Sequence, residues 1–191
     1  MFLKRKRTSD IKARACADGR PQREFISKDE SSLPTVLTYA LFISCVMDTI
    51  EGRQVVTCDI PGAFLQANWP DNNDCYLKFE GLMVKMICEI DLNYLKYVLT
   101  NKRTSKQKLY GKLTKAVYGT LLGAILFDQE LSGQLYDWGY TQNPYDPCTF
   151  NKTVNGQQLT IQFHVDDLKC SHMDQSMFCL LYTSPSPRDS R

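Results

Sequence analysis

A helical periodicity begins after Ser31-Ser32-Leu33-Pro34, with Val36, Leu37, Ala40, Ile43, Ser44, Met47 and Ile50 recurring at three- and four-residue spacings. Together with Gly52 just past the last of them, this predicts a capped amphipathic helix. Residues 54–60 are short and β-branched and predict a strand. Pro61-Gly62 stops that strand before Ala63-Phe64-Leu65-Gln66 can begin a helical turn, so Asp59 falls at a strand end. Residues 76–79 read as a short strand, and residues 90–101 as a helix leading into a basic connection over 102–108. Thr120 is placed to cap a helix over residues 121–138, with Gly139 where a left-handed C-terminal residue belongs. Its core face would be Leu121, Ala124, Phe127 or Asp128, Leu131 and Leu135. Asn155-Gly156 is a strong two-residue hairpin signal between residues 148–154 and 157–165. In the second arm Leu159, Ile161, Phe163 and Val165 alternate with Thr160, Gln162, His164 and Asp166, and Asp166-Asp167 end the strand. Helices and hairpins without a regular βαβ repeat define an α+β class.

Composition adds limits. The 191 residues are 43% hydrophobic and 11% aromatic with net charge +2, which suits one globular domain or a small pair and excludes disorder throughout. The longest apolar run, residues 121–127, is far short of the ~20 that cross a bilayer, and no apolar stretch follows the charges of Lys4-Arg5-Lys6-Arg7 as a secretory signal requires. Neither a membrane span nor a secretory leader is expected. Eight cysteines, none in a C-x-x-C pair and most within apolar stretches, suit a reduced intracellular protein. Charge is uneven: residues 1–28 hold nine basic against three acidic side chains, and residues 102–115 hold six basic and no acidic ones. Basic segments flanking an acidic body suit a phosphate-handling surface around a metal site; a solvated tail and loop are the plain alternative.

The candidate chemistry is carboxylate. Asp166 and Asp167 at one strand end and Asp59 at another cluster only if their strands are neighbours in one sheet. Three converging carboxylates repel unless cations intervene, and hard oxygen ligands select Mg²⁺ or Mn²⁺. Two such ions ~4 Å apart serve in-line displacement at phosphorus. An ordinary turn and an ordinary strand terminator are the alternative. His164, Cys170 and His172 can be drawn as a zinc site but lack a fourth spaced ligand.

Three ordered segments carry a resemblance: DIPGAFLQ (residues 59–66), KLTKAVYGTLLGAILF (112–127) and FHVDDL (163–168). IKARACADG (11–19), Asn143-Pro144-Tyr145-Asp146-Pro147-Cys148 and Asn151-Lys152 accompany them. Read together they resemble the reverse transcriptase of copia-type retrotransposons, over residues 11–172. The resemblance implies a right-hand polymerase fingers and palm, with an antiparallel palm sheet packed on helices. It implies a basic leader over residues 1–9, fingers over about 10–33, fingers and palm over 34–178, and an incomplete enzyme without thumb or ribonuclease H. Residues 179–191 resemble translated read-through of a sequencing adapter, a non-native or disordered tail.

Asp59, Asp166 and Asp167 then look like the catalytic metal triad holding two Mg²⁺ ions, or Mn²⁺, with Ile60 adding its backbone carbonyl. Phe64 takes the place of an aromatic under the incoming sugar, where it would exclude a 2′-hydroxyl; plain core packing is its alternative role. Lys12 and Arg14 look like triphosphate-facing residues, and His164 like a primer-positioning residue where tyrosine is usual. Gly119-Thr120-Leu121-Leu122-Gly123-Ala124-Ile125 departs from the GLKQA-R pattern of many copia-type enzymes, so contacts made there by Lys, Gln and Arg are not implied. The implied activity is RNA-directed DNA polymerisation, by nucleotidyl transfer to a primer 3′-hydroxyl. Its implied partners are an RNA or DNA template-primer, deoxynucleoside triphosphates and the rest of the polyprotein, namely ribonuclease H, integrase and protease. The parent element would work in cytoplasmic particles and the nucleus. The alternative is an inactive remnant that only binds nucleic acid.

Overall fold

The computed structural model describes residues 2–5, 11–27 and 31–178, with side chains undescribed at 2–4 and 11–14. The described residues fall into two compact units, one from Met1–Ala67 with Ala116–Arg191, the other Asn68–Lys115. The class is α+β with antiparallel sheets.

In chain order the first unit begins with β1 (Phe2–Arg5) and β2 (Ile11–Arg14), paired antiparallel as a two-stranded ribbon. Residues 2–5 of the expected basic leader form the first arm of that ribbon; the rest of the leader lies outside the described residues, as do 179–191 and with them the expected tail. Helix α1 (Thr38–Glu51), strand β3 (Gln54–Asp59) and the turn α2 (Ala63–Gln66) follow. The second unit holds β4 (Tyr76–Glu80), α3 (Leu82–Ile90), a 3₁₀ turn (Leu92–Tyr97), β5 (Leu99–Thr100) and β6 (Gln107–Lys112). Its sheet order is β4-β6-β5 over a small core of Val84, Cys88 and Leu109. Back in the first unit are α4 (Gly123–Asp137), β7 (Thr141–Asn143), β8 (Asp146–Val154), β9 (Gln157–His164) and β10 (Asp167–His172). The five-stranded sheet runs β3-β10-β9-β8-β7.

The hairpin is where the sequence places it: Asn155 and Gly156 both have positive φ, the two-residue turn that matches strand twist, and Val154 pairs with Gln157. Gly52 and Gly139 end their helices in the left-handed region as expected. Helix α4 buries Phe127, Leu131 and Leu135 against Phe150, Ile161 and Phe163 of the sheet, which settles Phe127 over Asp128 as the core position.

Other expectations are corrected. Thr120 does not cap α4, which starts after Leu122; its hydroxyl instead donates to the Val117 carbonyl at 2.7 Å. The Ser31-Ser32-Leu33-Pro34 cap is likewise absent, because α1 starts after Leu37 without a side-chain cap. The predicted helix over 90–101 is α3, ending at Ile90, followed by a 3₁₀ turn and β5. Apolar spacing alone does not separate a kinked helix–turn–strand sequence from one helix. The basic connection is the β5–β6 hairpin loop and the strand after it. There Lys108 pairs with Glu80 at 3.5 Å and Lys112 with Asp74 at 2.5 Å, so part of the expected free basic surface is locally neutralised.

The largest correction concerns α1. An amphipathic helix ordinarily buries its apolar stripe, yet Ile43 and Ile50 are exposed, while Asp48 is 5% exposed. Lys169 on β10 donates to Ser44 Oγ at 2.7 Å and pairs with Asp48 Oδ2 at 2.5 Å, which turns the polar side of α1 toward the sheet. The opposite face of β9 explains this. Thr160 and Gln162 are buried too, and Gln162 donates to Thr149 Oγ1, whose hydroxyl donates to Asp146 Oδ2. Helix α4 covers the apolar face and α1 the polar one, so alternation along β9 distinguishes two covered faces rather than core from solvent.

Candidate active site

Strand β3 ends at Asp59 and β10 begins at Asp167, and the antiparallel register sets these two residues directly opposite each other. On its other side Asp167 pairs with His164, so Val165-Asp166 form a two-residue turn between β9 and β10. The Ile60 N–H donates to the Asp166 carbonyl at 3.1 Å, tying the turn to the end of β3. The condition set by the sequence is therefore met: the strands bearing the three aspartates are neighbours in one sheet. Val165 has φ 58°, a left-handed conformation unusual for a β-branched residue. Such strain marks turns that the surrounding structure holds in place.

Directly opposed like charges destabilise an antiparallel pair. No described basic side chain forms an ion pair with Asp59, Asp166 or Asp167. Among the described residues the three side chains are all carboxylates without a basic partner, and hard oxygen donors of this kind are the type a divalent cation takes. Among the described residues no three acidic, histidine or cysteine side chains are gathered closely enough to enclose an ion. The backbone register sets Asp59 opposite Asp167, with Asp166 in the adjoining turn.

Tyr118 is a member of this site that the sequence reading did not single out. Its hydroxyl donates to Asp166 Oδ2 at 3.4 Å. Burial first, then the negative charges of Asp166 and Asp59, hold the phenol above its ordinary pKa, so it stays a donor at neutral pH. Its ring lies 4.0 Å from that of Phe64, which stacks on Phe127 at 5.9 Å. Phe64 itself is 6% exposed, within the core behind Tyr118. The only signal for Tyr118 was its place in AVYGT, ahead of the motif that departs from the family pattern.

Gly119 explains how Tyr118 is held. Its φ is 91°, and a Cβ there would clash with the Ala17 carbonyl oxygen. The Ala17 N–H donates to the Tyr118 carbonyl at 2.7 Å, and the Leu121 N–H to Gln22 Oε1 at 2.8 Å. The segment after β2 is thereby fastened beside the aspartates. Gly119→Ala is expected to cost about 3 kcal/mol, from left-handed strain plus backbone displacement, read as a lowered urea midpoint.

His164 is exposed at the end of β9 beside Asp167. Of Lys12 and Arg14 only the backbone in β2 is described. A groove of about 470 Å³ is lined by Asp59, Thr57, Gln162, His164, Asp167 and Lys169. A more apolar cavity of about 320 Å³ lies on the α4 side, lined by Asp59, Cys58, Ile60, Phe127, Leu131 and Leu168 among others. Cys58 and Cys170 lie diagonally across the β3–β10 pair there; their hydrogen bond holds the Cys58 thiol down and pushes Cys170 up. The zinc arrangement fails on distance. His164 pairs with Asp167 at one end of β10 and His172 lies at the other, roughly 16 Å away at strand rise.

No family model, curated protein or solved structure matches the chain. Among the described residues no helix is long and apolar enough to cross a membrane.

Proposed function

We propose that the chain is the fingers and palm region of a copia-type reverse transcriptase, an RNA-directed DNA polymerase acting on a primer 3′-hydroxyl with deoxynucleoside triphosphates. The observation that carries this reading is the β3–β10 register, with Asp59 opposite Asp167 and Asp166 in the adjoining turn. The motif order described above supports it independently.

In this reading Asp59 and Asp166 hold two Mg²⁺ ions with help from the Ile60 carbonyl, and Asp167 supports them. When bound, the ions activate the hydroxyl nucleophile and neutralise the leaving pyrophosphate. The Tyr118 hydroxyl holds Asp166 in one orientation, and Phe64 sets the plane of Tyr118 from behind. The wall presented to an incoming sugar is then the Phe64–Tyr118 pair rather than Phe64 alone. His164, beside Asp167, is assigned to the primer end, and Lys12 and Arg14 of β2 to the triphosphate.

Template-primer extension by the chain with Mg²⁺ tests the proposal, with EDTA abolishing it. Binding of template-primer that weakens steeply with salt, without extension, would instead support the inactive nucleic-acid-binding remnant. Tyr118→Phe keeps the ring packing and loses the hydrogen bond to a charged acceptor, worth about 1.5 kcal/mol. A fall in extension rate of up to about tenfold is expected, with the thermal midpoint lowered by a few degrees.

A further inference from the structure

Helix α1 presents to solvent the stripe that a helix in a monomer ordinarily buries. Tyr39, Phe42, Ile43, Val46, Met47 and Ile50 are 42–79% exposed along it, centred away from Ser44 and Asp48, which turn to Lys169; Tyr39, Ile43 and Met47 at the flank also border the cavity between α1 and the sheet. At roughly 200 Å² for a large side chain, these six offer on the order of 750 Å². That exceeds the ~300–600 Å² of the largest patch on a typical monomer and matches the ~800 Å² each partner contributes to a standard interface.

The charge pattern selects the occupant. Helix α1 contains no Lys or Arg, and its two acids are neutralised within the chain, Asp48 by Lys169 and Glu51 by Arg53. A lipid-surface helix carries basic residues on its polar face, and nucleic acid needs cations, so neither fits. An uncharged apolar stripe fits another of its kind. The apolar positions are also symmetric about the midpoint between Ser44 and Cys45: reversing the helix sets Tyr39 against Ile50, Phe42 against Met47 and Ile43 against Val46. Such a stripe is complementary to itself in the antiparallel sense, which is what a closed two-fold interface requires, and antiparallel helix dipoles favour it.

We propose that this face is a self-association surface, on which the α1 helix of a second copy packs antiparallel about a two-fold axis near the helix midpoint. The proposal is independent of the polymerase reading. Sedimentation equilibrium of the full chain from about 1 to 100 μM tests it, with a species of twice 21.9 kDa expected. Phe42→Glu should weaken dimerisation at least tenfold while far-UV circular dichroism stays unchanged. Ile43→Lys and Val46→Glu should each weaken it. The double variant should restore it, because it sets the introduced ammonium of one copy against the introduced carboxylate of the other. The proposal is overturned by a wild-type chain that stays monomeric to 100 μM, or by a dimer whose affinity a folded Phe42→Glu leaves unchanged. Should Phe42→Glu fail to fold, the charge-swap pair decides: restored dimerisation upholds the proposal, and a folded monomeric double variant overturns it.

Discussion

Asp59→Asn and Asp166→Asn are each expected to reduce Mg²⁺-dependent primer extension by about a thousandfold or more, with little loss of stability. Each replaces a charged hard ligand with a neutral amide. The charge stabilisation a bound divalent ion supplies amounts to several kcal/mol, at about 1.4 kcal/mol per tenfold in rate. Stability should hold or rise, because Asp59 faces Asp167 across the register and one removed charge relieves that repulsion. Calorimetric titration with Mn²⁺ gives a second readout that needs no turnover: the wild-type heat should be lost in Asp59→Asn and kept in Asp71→Asn, an exposed acid of the other unit. Substantial extension by Asp59→Asn with Mg²⁺ would remove the carboxylate assignment. Retained Mn²⁺ heat in that variant would separately remove Asp59 as a ligand.

Lys169→Met is expected to destabilise the first unit by about 3–5 kcal/mol, because it leaves a nearly buried Asp48 carboxylate without its cation. The Asp48 Oδ1 atom already lacks a described partner, so no second donor stands ready. The double variant Lys169→Met with Asp48→Leu should recover most of the loss, since an apolar pair of similar volume is often as stable as a buried ion pair. Chemical denaturation of wild type, both single variants and the double variant closes the cycle. A Lys169→Met protein within about 1 kcal/mol of wild type would mean that the ion pair does not hold α1 to the sheet. The measurement also bears on the exposed stripe, because the Asp48–Lys169 contact is what turns that stripe outward.

How much could be read in advance differs by element. The β8–β9 hairpin, the strand ending at Asp59 and the glycine stops after α1 and α4 are local features, set by turn chemistry and β-branched runs, and they agree with the structure. Helix starts were less legible: Thr120 has the chemistry of an N-cap, but its hydroxyl is satisfied by the Val117 carbonyl in a turn before the helix. In the site, Asp59, Asp166 and Asp167 were legible as residue types at strand ends. Tyr118 was not, because its role depends on a packing partner, Phe64, 54 positions away and on a glycine fastened to Ala17.

Which residues carry acid, which turns are tight and which strand alternates could all be read from the chain, since they follow from side-chain chemistry and backbone sterics over a few residues. The placement of β3 beside β10 could not, and it is this placement that sets the strand end at Asp59 against the Asp166-Asp167 turn at one end of the sheet. The inward turn of the polar side of α1 is of the same kind. It rests on whether Asp48 meets Lys169, a pairing across 121 residues that local periodicity does not encode.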